Sequence, residues 1–463
     1  MYKRSSVCFK LGMDWIENEL KTINFNDTRL NDRLSKIVGA SAREQESSIP
    51  KNCIGTAETC GAYRFLVNPK VTSAKILSRH CEATIERMKE CRTVLALEDT
   101  SFFSFGGSSK KCELGPHTTG KENGLNLHTC LAVTPDGINL GVLNLNSYVK
   151  DRVQGQKTDR KSRPIEEKES YRWYEGVELC ARVAEQAPST RVVYVTDREG
   201  DIYEVFNHAA ELGVNWLIRS AYDRNTEEGG YLFEVAHHAE EIGETVWTMK
   251  ARPGRKARQV RQLIQSCVVH LKAPKRLGPA YAPVKVSIVF ACEINPPEGE
   301  EPVQWLLLTN LPVDTLESAL EKVSWYRCRW QIEVFFKILK SCFGAEKLQL
   351  QSRKGLENAL SVLMIIAWRI HYLSALARTN PTAAQSCIKC LAKQEWEAIW
   401  IMLKRCAAPK IPPSTEEIIR MLGRLGGHLG RKHDGFPGAE PLRIGLKKVY
   451  QFIDNADLIT NIK

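Results

Sequence analysis

Two short apolar runs that each end in an aspartate constrain the fold most. TVLALED covers Thr93 to Asp99, and RVVYVTD covers Arg191 to Asp197. A continuous apolar run of this length is typical of a strand buried on both faces, as in a parallel sheet covered by helices. The segment from Glu169 to Glu185 precedes the second run and is expected to be helical. The chain is therefore predicted to contain an α/β sheet.

The segments around these runs suggest further elements. LHTCLAVTP and INLGVLNLNSYV alternate around the turn Pro135-Asp136-Gly137, which is the pattern of a β-hairpin. The first 75 or so residues are expected to be helical, because apolar residues such as Trp15 and Leu20 recur at helical spacing. This pattern predicts a small helical domain ahead of the sheet.

The second half changes from β-rich to helical. The chain looks β-rich from Trp216 to about Leu308, and helices are expected from about Thr315 to Ser341 and from Gly355 to Ala377. Ser414 followed three residues later by Glu417 fits a capping box, so a further helix is predicted to begin there.

Composition excludes several classes of protein. A hydrophobic content of 43 % over 463 residues excludes a disordered or fibrous chain. The longest apolar candidate for a membrane span, Ala359 to Trp368, is ten residues long, and the start MYKRSSVCFK lacks the apolar core of a secretory signal. Fifteen cysteines, an odd number without a framework pattern, indicate reduced thiols in a cytosolic setting. The CxxC pair at Cys387 and Cys390 has no second pair at zinc spacing and is interpreted as chance.

The charge balance suits a polyanionic partner. There are 65 Lys and Arg against 54 Asp and Glu, a formal net charge of +11. Nine Lys or Arg and no acidic residue lie between Lys250 and Arg276. Arg29, Arg33 and Lys36 fall on one side of a helix. Both groups could contact phosphates, and both could equally be solvated surface.

Asp99 and Asp197 are candidate metal ligands. The carboxyl ends of strands form the site edge of an α/β sheet, so two carboxylates can converge there on divalent cations if their strands are neighbours. An acidic residue after a strand is also commonly a turn former or a helix cap. Taken singly, neither aspartate decides between these interpretations.

The helix around Tyr326 is more informative. Arg329, Glu333 and Lys340 follow Tyr326 by 3, 7 and 14 residues. At about 100° per residue, the four fall within roughly 60° of one another, and apolar residues occupy the opposite side. An exposed face with ion pairs four residues apart would explain the charges. It would give no role to Tyr326.

These residues carry a family resemblance. YRCRWQIEVFFKILK matches the signature Y-x2-R-x3-E-x6-K of the IS-four family of DDE transposases, to which the Tn-five transposase belongs. LALEDTS and VTDREGDIY resemble the segments with the first two catalytic aspartates, and similarity continues through GAYRFLVNP, EKES with Trp173, EINPPEGEEPVQWLLLTN and RLGG. The resemblance spans nearly the whole chain with its motifs in order. Gln331, Val334 and Phe336 depart from the more polar residues expected in the signature helix.

The resemblance implies a fold and a division into domains. The fold is α/β, with a ribonuclease-H-like catalytic core that contains a β-rich insertion. The expected domains are an N-terminal helical DNA-binding domain at 1–75, a DDE catalytic domain at 76–375 with its insertion at about 225–312, and a C-terminal helical dimerisation domain at 376–463.

The resemblance also assigns a metal-dependent site. Three carboxylates would hold two Mg²⁺ or Mn²⁺ ions about 3.5–4 Å apart and activate water or a 3′-hydroxyl without a covalent protein nucleophile. Hard cations prefer oxygen ligands, which accounts for carboxylates without Cys or His. Cationic side chains and a tyrosine hydroxyl are suited to bind phosphates near the reacting strand end. The implied catalytic and metal residues are Asp99, Asp197 and Glu333, and the implied phosphate-binding residues are Tyr326, Arg329 and Lys340.

The implied reaction is cut-and-paste transposition. One strand is nicked at the transposon end, the freed 3′-hydroxyl forms a hairpin, water opens it, and the end is joined to target DNA. Trp305 matches the aromatic residue that holds an extruded base, although a tryptophan in a strand can also be a core residue. Arg29, Arg33 and Arg43 are candidates for recognition of the inverted repeats. The partners are double-stranded DNA and a second copy of the chain, in a bacterial cytoplasm.

Two alternatives remain open from the sequence. A metal-dependent nuclease that cuts without joining would share the same carboxylates. A DNA-binding protein without catalysis, such as a transposition inhibitor or a domesticated transposase, would retain the basic residues, but the complete acidic triad argues against it. A nucleotide-binding enzyme is not favoured, because GGSSKK (Gly106 to Lys111) lacks phosphate-loop spacing.

Overall fold

The structure is a computed structural model that describes residues 15–45, 48–106, 113–117, 122–150, 163–249, 256–278, 281–379, 384–431 and 433–462. The opening stretch MYKRSSVCFK and part of the basic run after Lys250 lie outside these residues. The chain divides into two compact units. The first unit contains Met1–Arg92, Thr100–Gln154 and Gln331–Lys463, and the second unit contains Thr93–Asp99 and Gly155–Trp330.

The first unit begins with helices, as the sequence predicts. They are α1 (Trp15–Leu20), α2 (Thr28–Glu44), α3 (Ile49–Asn52), α4 (Gly55–Leu66) and α5 (Ser73–Met88). Side-chain caps fix two of the starts: Asp27 accepts a hydrogen bond from the Arg29 amide, and Thr72 accepts one from the Lys75 amide.

Strand β1 (Thr93–Ser104) is divided between the two units, because its residues up to Asp99 belong to the second unit and the rest belong to the first. The first unit also contains β2 (Gly115–Pro116), β3 (Asn123–Val133) and β4 (Asn139–Tyr148). In this unit β3 lies next to β1, β2 and β4. The predicted hairpin is confirmed: β3 and β4 pair antiparallel, and Gly137 turns the chain with a φ of 90°. Because β1 continues to Ser104, the expectation that this strand ends at Asp99 is wrong.

The second unit is built on a mixed sheet. Its strands are β5 (Arg191–Thr196), β6 (Asn215–Arg219), β7 (Glu240–Met249), β8 (Arg258–Leu271), β9 (Val284–Glu293) and β10 (Gln304–Thr309). They hydrogen bond in the order β1-β5-β6-β10-β9-β8-β7, and the pairs β1–β5 and β5–β6 are parallel. Parallel neighbours require crossover connections, which here contain α6 (Tyr171–Gln186) and α7 (Tyr203–Glu211). The helix predicted from Glu169 to Glu185 is therefore confirmed.

Two more helices belong to the second unit, α8 (Leu232–His237) and α9 (Leu316–Cys328), and the helical segments after them lie almost entirely in the first unit. The predicted helix from about Thr315 to Ser341 is divided, because α9 ends at Cys328, α10 covers Trp330–Lys337, and a π-helical segment covers Ile338–Cys342. Helices α11 (Arg353–Leu376), α12 (Lys393–Lys404), α13 (Thr415–Leu425) and α14 (Ala439–Ile462) follow. Ser414 caps α13 by accepting a hydrogen bond from the Glu417 amide, so the predicted start is confirmed.

Helix α11 is the central apolar element of the first unit. It is 24 residues long, longer than the ten-residue run noted in the sequence, and by length and composition it could cross a membrane. However, 94 % of its most apolar window is buried inside the protein, as expected for a core helix. Thirteen cysteines lie among the described residues, and all of them are free thiols.

Candidate active site

The parallel pairing of β1 and β5 sets the positions of Asp99 and Asp197. The register pairs Leu95 with Val193 and Leu97 with Val195. Extending it by two residues places the two aspartates opposite each other on neighbouring strands, which lie about 4.8 Å apart. Both side chains are partly exposed, whereas the strand residues before them are buried. The condition stated from the sequence, that the two strands be neighbours, is met.

Arg329 contacts the first of these aspartates. It caps the C-terminal end of α9, and its Nη1 donates to Asp99 Oδ2 at 3.0 Å. The two side chains are 12 % and 16 % exposed, so the pair is largely shielded from water. The Arg329 guanidinium also lies 6.0 Å from the ring centre of Tyr326, which is buried. Asp99, Arg329 and Tyr326 therefore form one connected group in the second unit.

Asp197 is held by the chain that follows it. Its side chain accepts a hydrogen bond from the Glu199 amide at 2.8 Å and caps the short turn Arg198–Gly200. The helix-cap interpretation considered from the sequence is thus observed at this aspartate. It does not exclude a second role, because a carboxylate has about four acceptor positions.

Trp305 belongs to an aromatic cluster on the sheet of the second unit. Its ring is half-buried on β10 and stacks on Trp247 of β7, with ring centres 5.7 Å apart and an angle of 18°. Tyr326 approaches it edge-on at 6.0 Å, and Arg327 lies over Trp247. The indole is therefore not enclosed in the core, and it already has a stacking partner.

Glu333 and Lys340 lie in the first unit. Glu333 is in the first turn of α10 and is partly exposed. Lys340 lies in the π-helical segment, where its Nζ donates to the Phe102 carbonyl at 2.6 Å and lies 4.8 Å from the ring centre of Phe103. Burial lowers the pKa of Lys340, which the nearby Glu346 carboxylate partly offsets.

The three N-terminal arginines have different surroundings. Arg29 is 88 % exposed and pairs with Asp27 at 3.0 Å. The Arg33 guanidinium packs against α4, where a Cβ on Gly61 would come within 2.6 Å of it. Arg43 pairs with Asp454 of α14 at 3.4 Å. Arg29 and Arg43 project from the surface of α2, and Arg33 spans α2 and α4.

Three family models match the chain in sequence order. The one described as Transposase DNA-binding matches residues 12–71, the one described as Transposase DDE domain matches 176–369, and the one described as Transposase Tn5 dimerisation domain matches 365–461. The chain belongs to the Tn5-type DDE transposases. The predicted fold class is confirmed: the DDE domain lies in a mixed α/β chain with a large sheet, between an N-terminal DNA-binding domain and a C-terminal helical domain.

Among solved structures, the chain is similar to a piggyBac transposase in a synaptic complex with hairpin DNA, determined by cryo-electron microscopy. The identity is 10 % and the TM-score is 0.33, and the alignment covers 64 % of this chain and 50 % of that chain. The chain thus spans half the length of that protein. Similarity at this level says nothing about the roles of individual residues.

DDE transposase domains generally use divalent metal ions, and the chemistry of the donors in this transposase fits such ions. Asp99 and Asp197 supply carboxylate oxygens from adjacent strands, which hard cations prefer. Within the part of the chain that the structure describes, no group of three His, Cys, Asp or Glu side chains is arranged to hold a metal. The guanidinium of Arg329 occupies one oxygen of Asp99, so a cation would compete with it.

The sequence did not single out a small cleft in the second unit. It has a volume of about 100 Å³ and is lined by residues that include Arg198, Arg219 and His237. Arg198 directly follows Asp197, and Arg219 ends β6, the strand next to β5. In the sequence, an arginine lies at or just after the end of each of the short strands β5 and β6, and this pattern could have indicated the cleft. The cleft gives this transposase positive charge beside its second aspartate.

Much of the described basic run is neutralised locally. Arg258 pairs with Glu293 and Glu300, and Arg261 pairs with Glu244. Further along the run, Arg276 pairs with Glu204. The run therefore presents less free positive charge than its composition suggests.

Proposed function

We propose that this chain is a cut-and-paste DNA transposase that binds inverted repeats at transposon ends, nicks the DNA, excises the element through a hairpin and joins the 3′-hydroxyl ends to target DNA. The observation that carries the proposal is the parallel register of β1 and β5, which brings Asp99 and Asp197 side by side in a chain with a DDE domain. The family's DNA-binding and dimerisation models at the two ends of the chain support the same function.

The catalytic residues in this proposal are Asp99, Asp197 and Glu333. They would hold two Mg²⁺ ions, or Mn²⁺ in their place, and the bound metal would supply Lewis-acid stabilisation of the charge that develops on the phosphoryl oxygens. The two aspartates are supported by their register, and Glu333 by its place in the first turn of α10.

Three further side chains bind the DNA phosphates. Arg329 is in reach of the scissile group because it already contacts an aspartate of the site, and its guanidinium can bind a phosphate through two hydrogen bonds. The Tyr326 hydroxyl donates a hydrogen bond to a phosphate oxygen. Lys340 engages the strand end, and its partial burial makes pairing with a phosphate favourable.

Trp305 holds the base that is extruded during hairpin formation. Stacking on an aromatic ring contributes about 1–3 kcal/mol per base, which offsets much of the few kcal/mol that extrusion costs. The half-buried ring supports this role, because an indole that is fully enclosed in the core would have no free face on which a base could stack.

The domains predicted from the sequence have different roles in the proposed reaction. Residues 1–75 bind the inverted repeats, with Arg29, Arg33 and Arg43 contacting DNA. Residues 76–375 carry the chemistry with the β-rich insertion at about 225–312, and residues 376–463 join two copies in the synaptic complex. A transposase acts on chromosomal DNA, so we place it in the bacterial cytoplasm.

The test uses a plasmid that carries the gene with its native flanking DNA, incubated with the full-length protein and Mg²⁺. We expect nicks at the two ends, then hairpin ends, then insertion into a second plasmid. Asp99→Asn, Asp197→Asn and Glu333→Gln should each lower nicking by at least about 100-fold. Asp136→Asn, an exposed turn residue, is the control and should leave nicking unchanged.

Each alternative function gives a different pattern of products. Cleavage without joining would identify a nuclease, and specific binding without cleavage would identify a non-catalytic DNA-binding protein. Either pattern would overturn the proposal. Normal nicking by a folded carboxylate variant would remove that residue from the site.

A further inference from the structure

A buried hydrogen-bond chain contacts the signature helix on the side away from Glu333. His371 of α11 is 2 % exposed. Its Nε2 lies 3.0 Å from Gln331 Oε1, and its Nδ1 lies 3.1 Å from Asn139 Nδ2. All three residues belong to the first unit.

The direction of each bond in this chain follows from Asn139. Its Oδ1 accepts a hydrogen bond from the Gly141 amide at 3.0 Å, so its NH₂ group must face His371 and donate to Nδ1. A neutral imidazole has one N–H, which therefore lies on Nε2 and donates to Gln331 Oε1. Burial, followed by the charge of Arg378, lowers the pKa of His371 to about 3, so the ring stays neutral at physiological pH.

The same imidazole packs on a second residue of α10. The Phe335 ring lies against it, with ring centres 6.2 Å apart and an angle of 23°. Gln331 and Phe335 are four residues apart and share one face of the helix. Glu333 is about 200° from Gln331 on the helical wheel, so it lies on the other side. His371 thus holds α10 by the face opposite its acidic residue.

We propose that His371 is a positioning residue, which acts through Gln331 to fix the rotation of α10 about its axis and thereby the direction of the Glu333 carboxylate. The proposal rests on the function proposed above, in which Glu333 is catalytic.

A small rotation is enough to matter. Side-chain ends lie about 5.5 Å from a helix axis, so a rotation of about 10° moves a carboxylate by about 1 Å. A misplacement of this size in an active site can lower the rate by about 100-fold. Helix α10 has only eight residues and is followed by a π-helical segment, so the contact of Gln331 with His371 adds to the packing of a short helix.

The test compares two substitutions at Gln331. Gln331→Met keeps the side-chain volume and removes the acceptor, whereas Gln331→Glu keeps an oxygen that can accept from His371. We expect Gln331→Met to nick the plasmid with native flanking DNA about 10- to 100-fold more slowly, with DNA affinity within about twofold of wild type. Gln331→Glu should recover most of that rate. Lys337→Met, an exposed change on the same helix, should behave as wild type.

A second readout does not depend on activity. Binding of Mn²⁺ to the DNA-free protein, followed by electron paramagnetic resonance, should weaken about 10-fold in Gln331→Met, as is typical when a group that orients a ligand is lost. The thermal midpoint is measured for every variant. Equal losses of stability, DNA binding and nicking in both Gln331 variants would show a merely structural role and overturn the proposal.

Glu333→Gln separates the two proposals. If this variant nicks normally, the assignment of Glu333 is wrong, and the proposed active site fails with it. If Glu333→Gln is inactive while Gln331→Met nicks and binds Mn²⁺ as wild type does, the active site stands and the positioning role of His371 is wrong.

Discussion

The buried carboxylate of Glu19 predicts a marked loss of stability in acid. It accepts hydrogen bonds from Arg87 Nη1 at 2.6 Å and from His80 Nδ1 at 2.5 Å. Burial alone would raise the pKa of Glu19, but Arg87 and His80 outweigh this effect and hold the pKa at about 2, below the ordinary value of 4.5. Between these two pH values the unfolded chain binds a proton that the folded chain does not, so stability falls as the pH falls.

The size of the effect follows from the two pKa values. The difference between 4.5 and about 2 corresponds to about 3 kcal/mol at about 1.4 kcal/mol per pKa unit, of which about 2 kcal/mol is lost by pH 3. Burial also lowers the pKa of His80, so its protonation below about pH 6.5 costs stability in the same direction. His80 Nε2 accepts from the Val142 amide at 3.0 Å, and a protonated ring cannot accept that bond.

Urea unfolding at pH 7 and pH 3 measures this loss. Glu19→Gln should lower stability at pH 7 by about 3–5 kcal/mol, because it leaves Arg87 buried without its counter-charge. Glu17→Gln changes an exposed residue of the same helix and should stay within about 0.5 kcal/mol of wild type. The other carboxylates titrate in the same way in wild type and in both variants. The Glu19 variant should therefore lose about 2 kcal/mol less than the control on acidification, and equal losses in both would refute the reasoning.

Further predictions concern the site and its supports. Trp305→Ala should slow hairpin formation more than first-strand nicking, measured on denaturing gels; equal slowing would exclude base capture. Lys340→Met should weaken binding to nicked end DNA several-fold in a mobility-shift assay, whereas Lys337→Met, at the exposed end of α10, should not. Identical affinities would remove Lys340 from the site. Gly176→Ala would place a Cβ 2.0 Å from Glu98 Oε2 and should lower stability by about 1–3 kcal/mol. An unchanged thermal midpoint would show that the helix can move away.

The sequence predicted the parts of the fold that depend on local patterns. The buried strands at TVLALED and RVVYVTD, the hairpin around Gly137 and the helix start at Ser414 all follow from residue periodicity and turn or cap chemistry. Strand order did not follow from the sequence. The parallel pairing that places Asp99 beside Asp197 was a condition of the prediction, and tertiary structure had to supply it.

Contacts between distant residues were not predictable from the pattern. In the sequence, Arg258 and Arg276 belong to a basic run. In the structure, Glu293 neutralises Arg258 and Glu204 neutralises Arg276, although both acidic residues are distant in the sequence. The sequence identified Gln331 only as a departure from the signature. Its partner His371 lies forty positions away, in the largely apolar helix predicted from Gly355 to Ala377. A single sequence shows which side chains are charged or polar, but only the fold determines their partners.

The π-helical segment shows where the helical-wheel argument for the signature stops. A wheel of about 100° per residue assumes one regular α-helix from Tyr326 to Lys340. Hydrogen bonds between residues five apart widen the turn at Ile338–Cys342, so the angular position of Lys340 relative to Glu333 is not the one that the wheel gives. From this segment Lys340 Nζ donates to the carbonyl of Phe102, on the continuation of β1 beyond Asp99. The motif thus fixes which residues are present, whereas the backbone conformation determines which atoms Lys340 contacts.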